Sequence, residues 1–350
     1  MKKIKKQFAF TIVELLVVIV VIGVLAAITI VSYSGITSRA NIVSLQSDLA
    51  NASQQLKLYQ TLYGSYPTLD SNNCPVSPSI VDSNYCLKAT AGTAYQYTVS
   101  SVNSRYIFCT TATKNSYKYN ISPDTTSLAG PCPEISLDAG NKTSYPGIGS
   151  TWTDLSGKDN NGTLYGGVTY NSANGGVMSF DGANDYIGIT SAPNMTTSGS
   201  LSVWVYVNSW GSQYDSIIFK GPGISWADVD YVISRNVSSN TFLGSVNDGT
   251  NNLMSGGPQS STITVGQWYY LVFTWDSSVA KFYTNSTQTG SVNWSHGAGA
   301  RSNNLNIGSA VGGGTYFLNG LISNVKIYSS ALSASDVLQN FNATKGRYGL

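Results

Sequence analysis

Acid–base chemistry has few candidates in this chain. Its 350 residues include two glutamates, Glu14 and Glu134, and a single histidine, His296. Glycoside hydrolysis needs two carboxyl groups flanking the scissile bond, one as proton donor and one as nucleophile or base. Glu14 lies inside an apolar run, Glu134 lies outside any strand pattern, and no strand carries a pair of glutamates. The remaining acidic pairs, Asp181 with Asp185 and Asp228 with Asp230, fall in turn-like stretches where aspartate commonly caps the backbone. His296 would have to serve any histidine triad or metal site alone. Gly312-Gly313-Gly314 is followed by neither a Lys-Ser or Lys-Thr pair nor a helix pattern, so it is not a phosphate loop. The residue types therefore point to a protein that is not an enzyme.

Binding chemistry is better represented. Trp204, Trp268 and Trp275 lie within strand patterns and read as core. Trp210, Trp226 and Trp294 lie near loops and are the candidate ligand contacts, because aromatic faces stack on sugars or fill protein pockets; packing beneath a loop is the alternative. No cofactor is required. Calcium is the one metal considered, with Asp228, Asp230 and Asp248 as possible ligands, although six to eight oxygens are needed and no dense acidic loop occurs. A net charge of +2, with charged residues at 10%, gives no electrostatic reason to expect a nucleic-acid partner.

These groups must be positioned by elements of three kinds. The first is a membrane helix. Lys2, Lys3, Lys5 and Lys6 precede an apolar run from Ile12 to Ile30 that only Glu14 interrupts. At about 1.5 Å per residue such a run spans roughly 29 Å, close to the thickness of a hydrocarbon core. The lysines predict a cytoplasmic N-terminus and an exported remainder. A secretory signal peptide ending near Leu25-Ala26-Ala27 is the competing reading, but its core would be too long and would contain an acid. A carboxylate in lipid costs several kcal/mol, so Glu14 needs a partner or a route to the interface.

The stretch Lys5-Lys6-Gln7-Phe8-Ala9-Phe10-Thr11-Ile12-Val13-Glu14-Leu15 resembles the type III signal of type IV pilins and pseudopilins. The resemblance implies cleavage between Ala9 and Phe10, methylation of the new N-terminal Phe10, and a role for Glu14 in assembly through the freed amine of a neighbouring subunit. It also implies a prepilin peptidase, other pilin subunits, an inner-membrane platform and an assembly ATPase as partners. Where the family usually has glycine before the cut, this chain has Ala9. The proline that many pilins carry midway along the helix is replaced by Ala27-Ile28-Thr29-Ile30-Val31-Ser32-Tyr33.

Beyond the membrane, Ile42, Leu45, Leu49, Ala52, Leu56, Tyr59 and Tyr63 recur at spacings of three and four, which continues one apolar stripe along the same helix. Gly64 and Pro67 stop it, giving a helix from about Phe10 to Tyr63. Strand patterns at Ala94 to Val99, Tyr106 to Thr110 and Tyr117 to Ile121 supply a small sheet for the stripe to pack on. Cys74, Cys86, Cys109 and Cys132 all fall in this region. An even count in an exported segment reads as two disulfides, with three pairings open and the sequential one, Cys74–Cys86 and Cys109–Cys132, preferred.

From about Ile135 cysteine disappears and short strand patterns recur between Gly, Asn and Asp turns, from Val177 to Phe180 onward to Leu321 to Tyr328. This predicts an all-β jelly-roll sandwich. The blocks Leu137-Asp138-Ala139-Gly140, Phe180-Asp181-Gly182-Ala183-Asn184-Asp185-Tyr186, Gly266-Gln267-Trp268-Tyr269-Tyr270-Leu271-Val272-Phe273-Thr274-Trp275 and Asn319-Gly320-Leu321-Ile322-Ser323-Asn324-Val325-Lys326-Ile327-Tyr328 resemble a laminin G-like, concanavalin-like domain. That superfamily includes lectins, protein-binding modules and enzymes.

The expected organisation is thus a leader over residues 1–9, a helix over 10–63, a small disulfide-bonded pilin region over 64–134 and a sandwich over 135–350. The expected fold class is an α+β pilin module, a long helix plus a small antiparallel sheet, followed by an all-β sandwich. Together the two resemblances imply a minor or tip subunit of a pilus-like filament, made as a single-pass membrane protein and displayed at the cell surface. Its head would bind a surface glycan or protein. A pseudopilin of a secretion or DNA-uptake system is the alternative, and a tethered glycan hydrolase is disfavoured by the shortage of carboxylates.

Overall fold

The structure is a computed structural model that describes residues 11–77, 80–81, 83–102, 105–190, 192–211, 214–222, 228–253, 256–310 and 314–350. Ala9, Phe10 and Trp226 lie outside the described residues.

The N-terminal helix runs over Ile12–Tyr63. It starts at Thr11, whose side chain accepts the Glu14 amide while the Glu14 carboxylate accepts the Thr11 amide at 2.8 Å. It stops at Gly64, which takes φ +81° and donates its amide to Gln60, a left-handed cap that glycine adopts without a Cβ penalty. Its 52 residues reach about 78 Å. The first half is bare apolar surface, and the helix is long and apolar enough to cross a membrane.

The second half buries Leu45, Leu49, Ala52 and Leu56 against Phe108, Ala112 and Tyr119 of an antiparallel sheet. That sheet is ordered Ala94–Val102, Arg105–Lys114, Tyr117–Ile121, Leu128–Ala129. The stripe ends sooner than its spacing predicts. Tyr63 is 53% exposed and lies on the surface against Tyr59 and Tyr85. Disulfides join Cys74 to Cys86 and Cys109 to Cys132.

The second half of the chain is a sandwich of two antiparallel sheets. One is ordered Thr169–Asn171, Val177–Asp181, Asn319–Tyr328, Gly199–Ser209, Trp268–Trp275, Val279–Thr284, Thr287–Asn293, with Ile135–Asp138 also paired to the Asn319–Tyr328 strand. The other is ordered Thr241–Val246, Tyr231–Asn236, Ser216–Lys220, Leu305–Ile307, Tyr186–Ile189, Gly162–Tyr165, Thr151–Trp152. Period-two alternation sends Leu201, Val203, Val205 and Val207 inward, where they meet Leu271, Phe273 and Trp275 and, from the facing sheet, Ile218, Ile233 and Ile307.

The opposite face of the first sheet is also apolar, which the alternation alone does not require. Trp204, Trp268 and Tyr270 point there and are covered by a C-terminal helix, Ala334–Thr344, and the 3-10 turn Lys345–Tyr348. Tyr348 stacks on Trp204 at 4.0 Å between ring centroids, and Trp204 donates its indole N–H to the Thr344 hydroxyl. Reading residues 135–350 as all-β missed this helix. Its signal is present: Ser333 and Asp336 form a reciprocal capping box ahead of Val337 and Phe341.

The same helix ties the sandwich to the small sheet. The Asn340 carboxamide accepts the Ala129 amide at 2.7 Å and donates to the Ala129 carbonyl at 3.0 Å, acting as one more peptide group on the edge of the Leu128–Ala129 strand. Thr98 and Ser122 donate their hydroxyls to the carbonyls of Ser156 and Leu155 across the same junction.

Candidate functional site

Most of the polar residues singled out in the sequence of the sandwich meet at one end of it. Asp230 precedes the strand Tyr231–Asn236, and its main-chain carbonyl accepts the Asn247 amide, which draws the turn after Thr241–Val246 alongside. In that turn Asp248 accepts the amides of Thr250 and Asn251 at 2.8 and 2.7 Å. The segment 294–301 closes the cluster by donating the Gly299 amide to Asn247. Only glycine fits at 299, because a Cβ there would stand 2.2 Å from the Asp230 carboxylate.

Within this end the aspartates have separate duties. Asp230 is fully buried and shared between Lys220 at 3.1 Å and Arg301 at 2.8 Å. Lys220 also donates to Asn194 Oδ1 and the Arg301 carbonyl. Burial pulls the Lys220 ammonium below the ordinary lysine range, and Asp230 opposes that pull. Asp228 offers its main-chain carbonyl to Arg301 at 3.4 Å. Asp248 faces His296 Nδ1 at 3.1 Å on the surface. Burial raises the Asp248 carboxyl, but hydrogen bonds from Asn251 and Thr250 and the neighbouring His296 outweigh it and lower it to about 2.

The residues read as possible calcium ligands have other partners here. Asp230 is committed to two cations and Asp248 to its own turn, and among the described residues no three His, Cys, Asp or Glu side chains stand together as a metal site. Lys220, Arg301 and Asn194 were not singled out from the sequence. A lysine closing the strand Ser216–Lys220, among residues that are all buried, was the available signal.

The tryptophans do not converge. Trp294 is 5% exposed, packed in the core beside His296, so it presents no face to a ligand. Trp210 is half-buried, with the Arg235 guanidinium over its ring at 4.4 Å. Arg235 stands near the far end of the strand that follows Asp230, about five residues or roughly 16 Å away, so Trp210 and the Asp248–His296 pair are at opposite ends of the sheet.

The other acids are structural in the same sense. Glu134 is bonded to Lys158 at 2.6 Å and accepts the Ser329 hydroxyl. Asp181 caps the Ala183 amide, and Asp185 accepts the Asp181 amide. At the start of the helix, Glu14 also accepts the Thr11 hydroxyl at 2.9 Å, so its carboxylate completes a capping box in its own chain.

Comparison with known proteins agrees with both halves of this architecture. Residues 4–30 match the prokaryotic N-terminal methylation motif, and residues 181–338 match the concanavalin A-like lectin/glucanases superfamily. The chain thus joins a prepilin-type N-terminal segment to a concanavalin A-like domain. It is similar to the type II secretion system core protein G of Vibrio cholerae serotype O1, at 33% identity over 70 residues, 20% of this chain and 48% of that protein. It spans about half the length of that curated relative. Among solved structures it is similar to domain 4 of AbnA, a GH43 extracellular arabinanase from Geobacillus stearothermophilus, in complex with arabinotriose, with 18% identity, 61% of this chain, 98% of that chain and a TM-score of 0.46. It is also similar to the binding domain of botulinum neurotoxin DC in complex with SialylT, with 17% identity, 61% of this chain, 52% of that chain and a TM-score of 0.45.

Proposed function

We propose that this protein is a minor or tip subunit of a type IV pilus-like filament whose sandwich is a binding head. One observation carries the reading: the prepilin-type segment over residues 4–30 overlaps the start of a helix, Ile12–Tyr63, whose outer half packs on a disulfide-bonded sheet, and that sheet is bonded to the sandwich. In this reading the peptidase cuts between Ala9 and Phe10, and the helix waits in the membrane with its N-terminus on the cytoplasmic side. A platform protein and an ATPase supplied by other chains then drive assembly. Glu14 exchanges its capping bond for the amine of a neighbouring Phe10, which penalises wrong vertical registers.

The head acts by binding a glycan or protein and not by catalysis. Glu134 and Asp230 are each held by a cation, and Asp181 and Asp185 each accept a backbone amide of the turn 181–185, so the acids support the fold of the head. Asp248, His296 and Arg301 are partly exposed at the loop end, and their rim is the surface we assign to contact. The likeness to a secretion-system core protein supports a second reading, a pseudopilin whose head recognises cargo.

Mass spectrometry of the mature N-terminus, after expression with the prepilin peptidase, tests the pathway. A chain beginning at methylated Phe10 is expected. A chain beginning after Ala27 would mean ordinary secretion and would remove both filament readings.

A further inference from the structure

The junction between the small sheet and the sandwich encloses a cleft of about 500 Å³. That volume is within the range of small-ligand sites, and junctions between domains are where such sites commonly lie. Its walls include Asp124 and Thr126 after the strand Tyr117–Ile121, Asp138 at the end of the strand Ile135–Asp138 and Asn141 just after it, Lys326 on the outer face of the strand Asn319–Tyr328, and Asn342 and Arg347 from the C-terminal segment. Leu128 and Ala343 add apolar surface, and the polar groups among them are amides, hydroxyls and the charged ends of Asp124, Asp138, Lys326 and Arg347.

The two carboxylates in this cleft are paired, and one ammonium is not matched by a carboxylate among the described residues. Asp124 is held by Lys57 at 2.8 Å, and Asp138, which also lines it, is held by Arg347 at 2.7 Å. Arg347 spends its other donors on the carbonyls of Asn174 and Gly176. Lys326 donates to the Ser136 hydroxyl at 2.8 Å, and among the described residues no carboxylate lies within 4.0 Å of its ammonium. Burial pulls Lys326 below the ordinary lysine range, and Asp138 and Asp154 oppose this from a distance while Arg347 adds to it. A sheltered ammonium with one neutral partner is costly unless an anion completes it. The same sheltering would strengthen a charge-assisted hydrogen bond to an incoming carboxylate.

We propose that this cleft binds a sugar acid, with its carboxylate on Lys326 and its hydroxyls on the surrounding amide and hydroxyl groups. The proposal rests on reading the sandwich as a binding head and adds a second site, at the neck, with a defined ligand chemistry. A uronic acid at the end of a glycan and a free sugar acid present the same groups, and the glycosidic oxygen separates them.

The test is titration calorimetry on the full chain in detergent, with methyl β-glucuronide, free glucuronate and methyl β-glucoside. The glucuronide or the free acid is expected to bind at least about tenfold more tightly than the neutral glucoside, the strength of one charge-assisted hydrogen bond. Binding of the methyl glycoside identifies a glycan terminus, and binding of the free acid alone identifies a free sugar acid. Lys326→Gln should abolish the preference. Thr126→Trp, at an exposed wall position, should block entry without touching the core, so a folding defect in the first variant does not decide the result. No binding of either acid, equal binding of acid and glucoside, or unchanged affinity in either variant would overturn the proposal. Filament incorporation has no part in this assay, so its failure and that of the pilin reading are distinguishable.

Discussion

The N-terminal helix and the sandwich are both built on apolar side chains, and they dispose of them in opposite ways. From Ile12 to Ile30 the helix holds them in the open, with Ile12 at 80% and Ile30 at 69% exposure. In the strands Gly199–Ser209 and Trp268–Trp275, Leu201, Val203, Val205, Val207, Leu271, Phe273 and Trp275 are all at 0%. At about 25 cal/mol per Å² of apolar surface, the sandwich settles its core within its own chain, whereas the helix requires a membrane or neighbouring helices. The two regions also treat charge differently. Asp230 is neutralised inside the fold by Lys220 and Arg301, while among the described residues Glu14 bonds to its own Thr11. In the proposed filament, self-sufficiency would belong to the part that is displayed and the unmet need to the part that assembles.

The contrast can be broken most decisively at Glu14. Glu14→Ala should leave membrane insertion intact yet reduce incorporation into sheared filaments by at least about tenfold, because a neighbour's amine would stay uncompensated. Normal incorporation, read by immunoblot of the filament fraction, would sink the charge-pairing account. Next in size, Asp230→Ala should strip a buried ammonium of its partner and cost the head about 3–5 kcal/mol in denaturant melts. Replacing Lys220 and Asp230 together with Met and Leu should recover much of that loss.

A smaller effect is expected where the two regions meet. Asn340→Ala should cost about 1–3 kcal/mol, since it leaves the Ala129 amide and carbonyl unpaired. Faster amide exchange at Ala129 with an unchanged sandwich core would show that Asn340 holds the neck. The smallest change concerns Asp248. Its carboxyl, lowered to about 2 from an ordinary 3.8, stabilises the folded turn above the ordinary value and loses that effect as the pH falls toward the folded one. Amide exchange at Thr250 and Asn251 should therefore rise, after correction for intrinsic rates, between about pH 4 and pH 2, and Asp248→Asn should flatten the dependence.

Much of this was legible in the sequence because it rests on local periodicity. A run of apolar residues with one acid, a stripe at spacings of three and four, a glycine stop at Gly64 and alternating strands such as Ser200 to Val207 each depend on neighbours a few residues away. The C-terminal helix carried a local signal too, in Ser333 and Asp336, but it lay beyond a long series of strands and was absorbed into them.

What the sequence by itself determined was the order of parts: a prepilin-type segment, one long helix and a concanavalin A-like sandwich. Only the tertiary structure decided what individual polar residues do. Trp294 lies in the core, Asp230 is claimed by Lys220 and Arg301, and Lys326 is left with Ser136 beside an open cleft. Asn340 reaches a strand 211 residues earlier. Solvation, charge pairing and hydrogen bonding at such separations depend on which strands lie side by side, and residue type and local spacing do not carry that information.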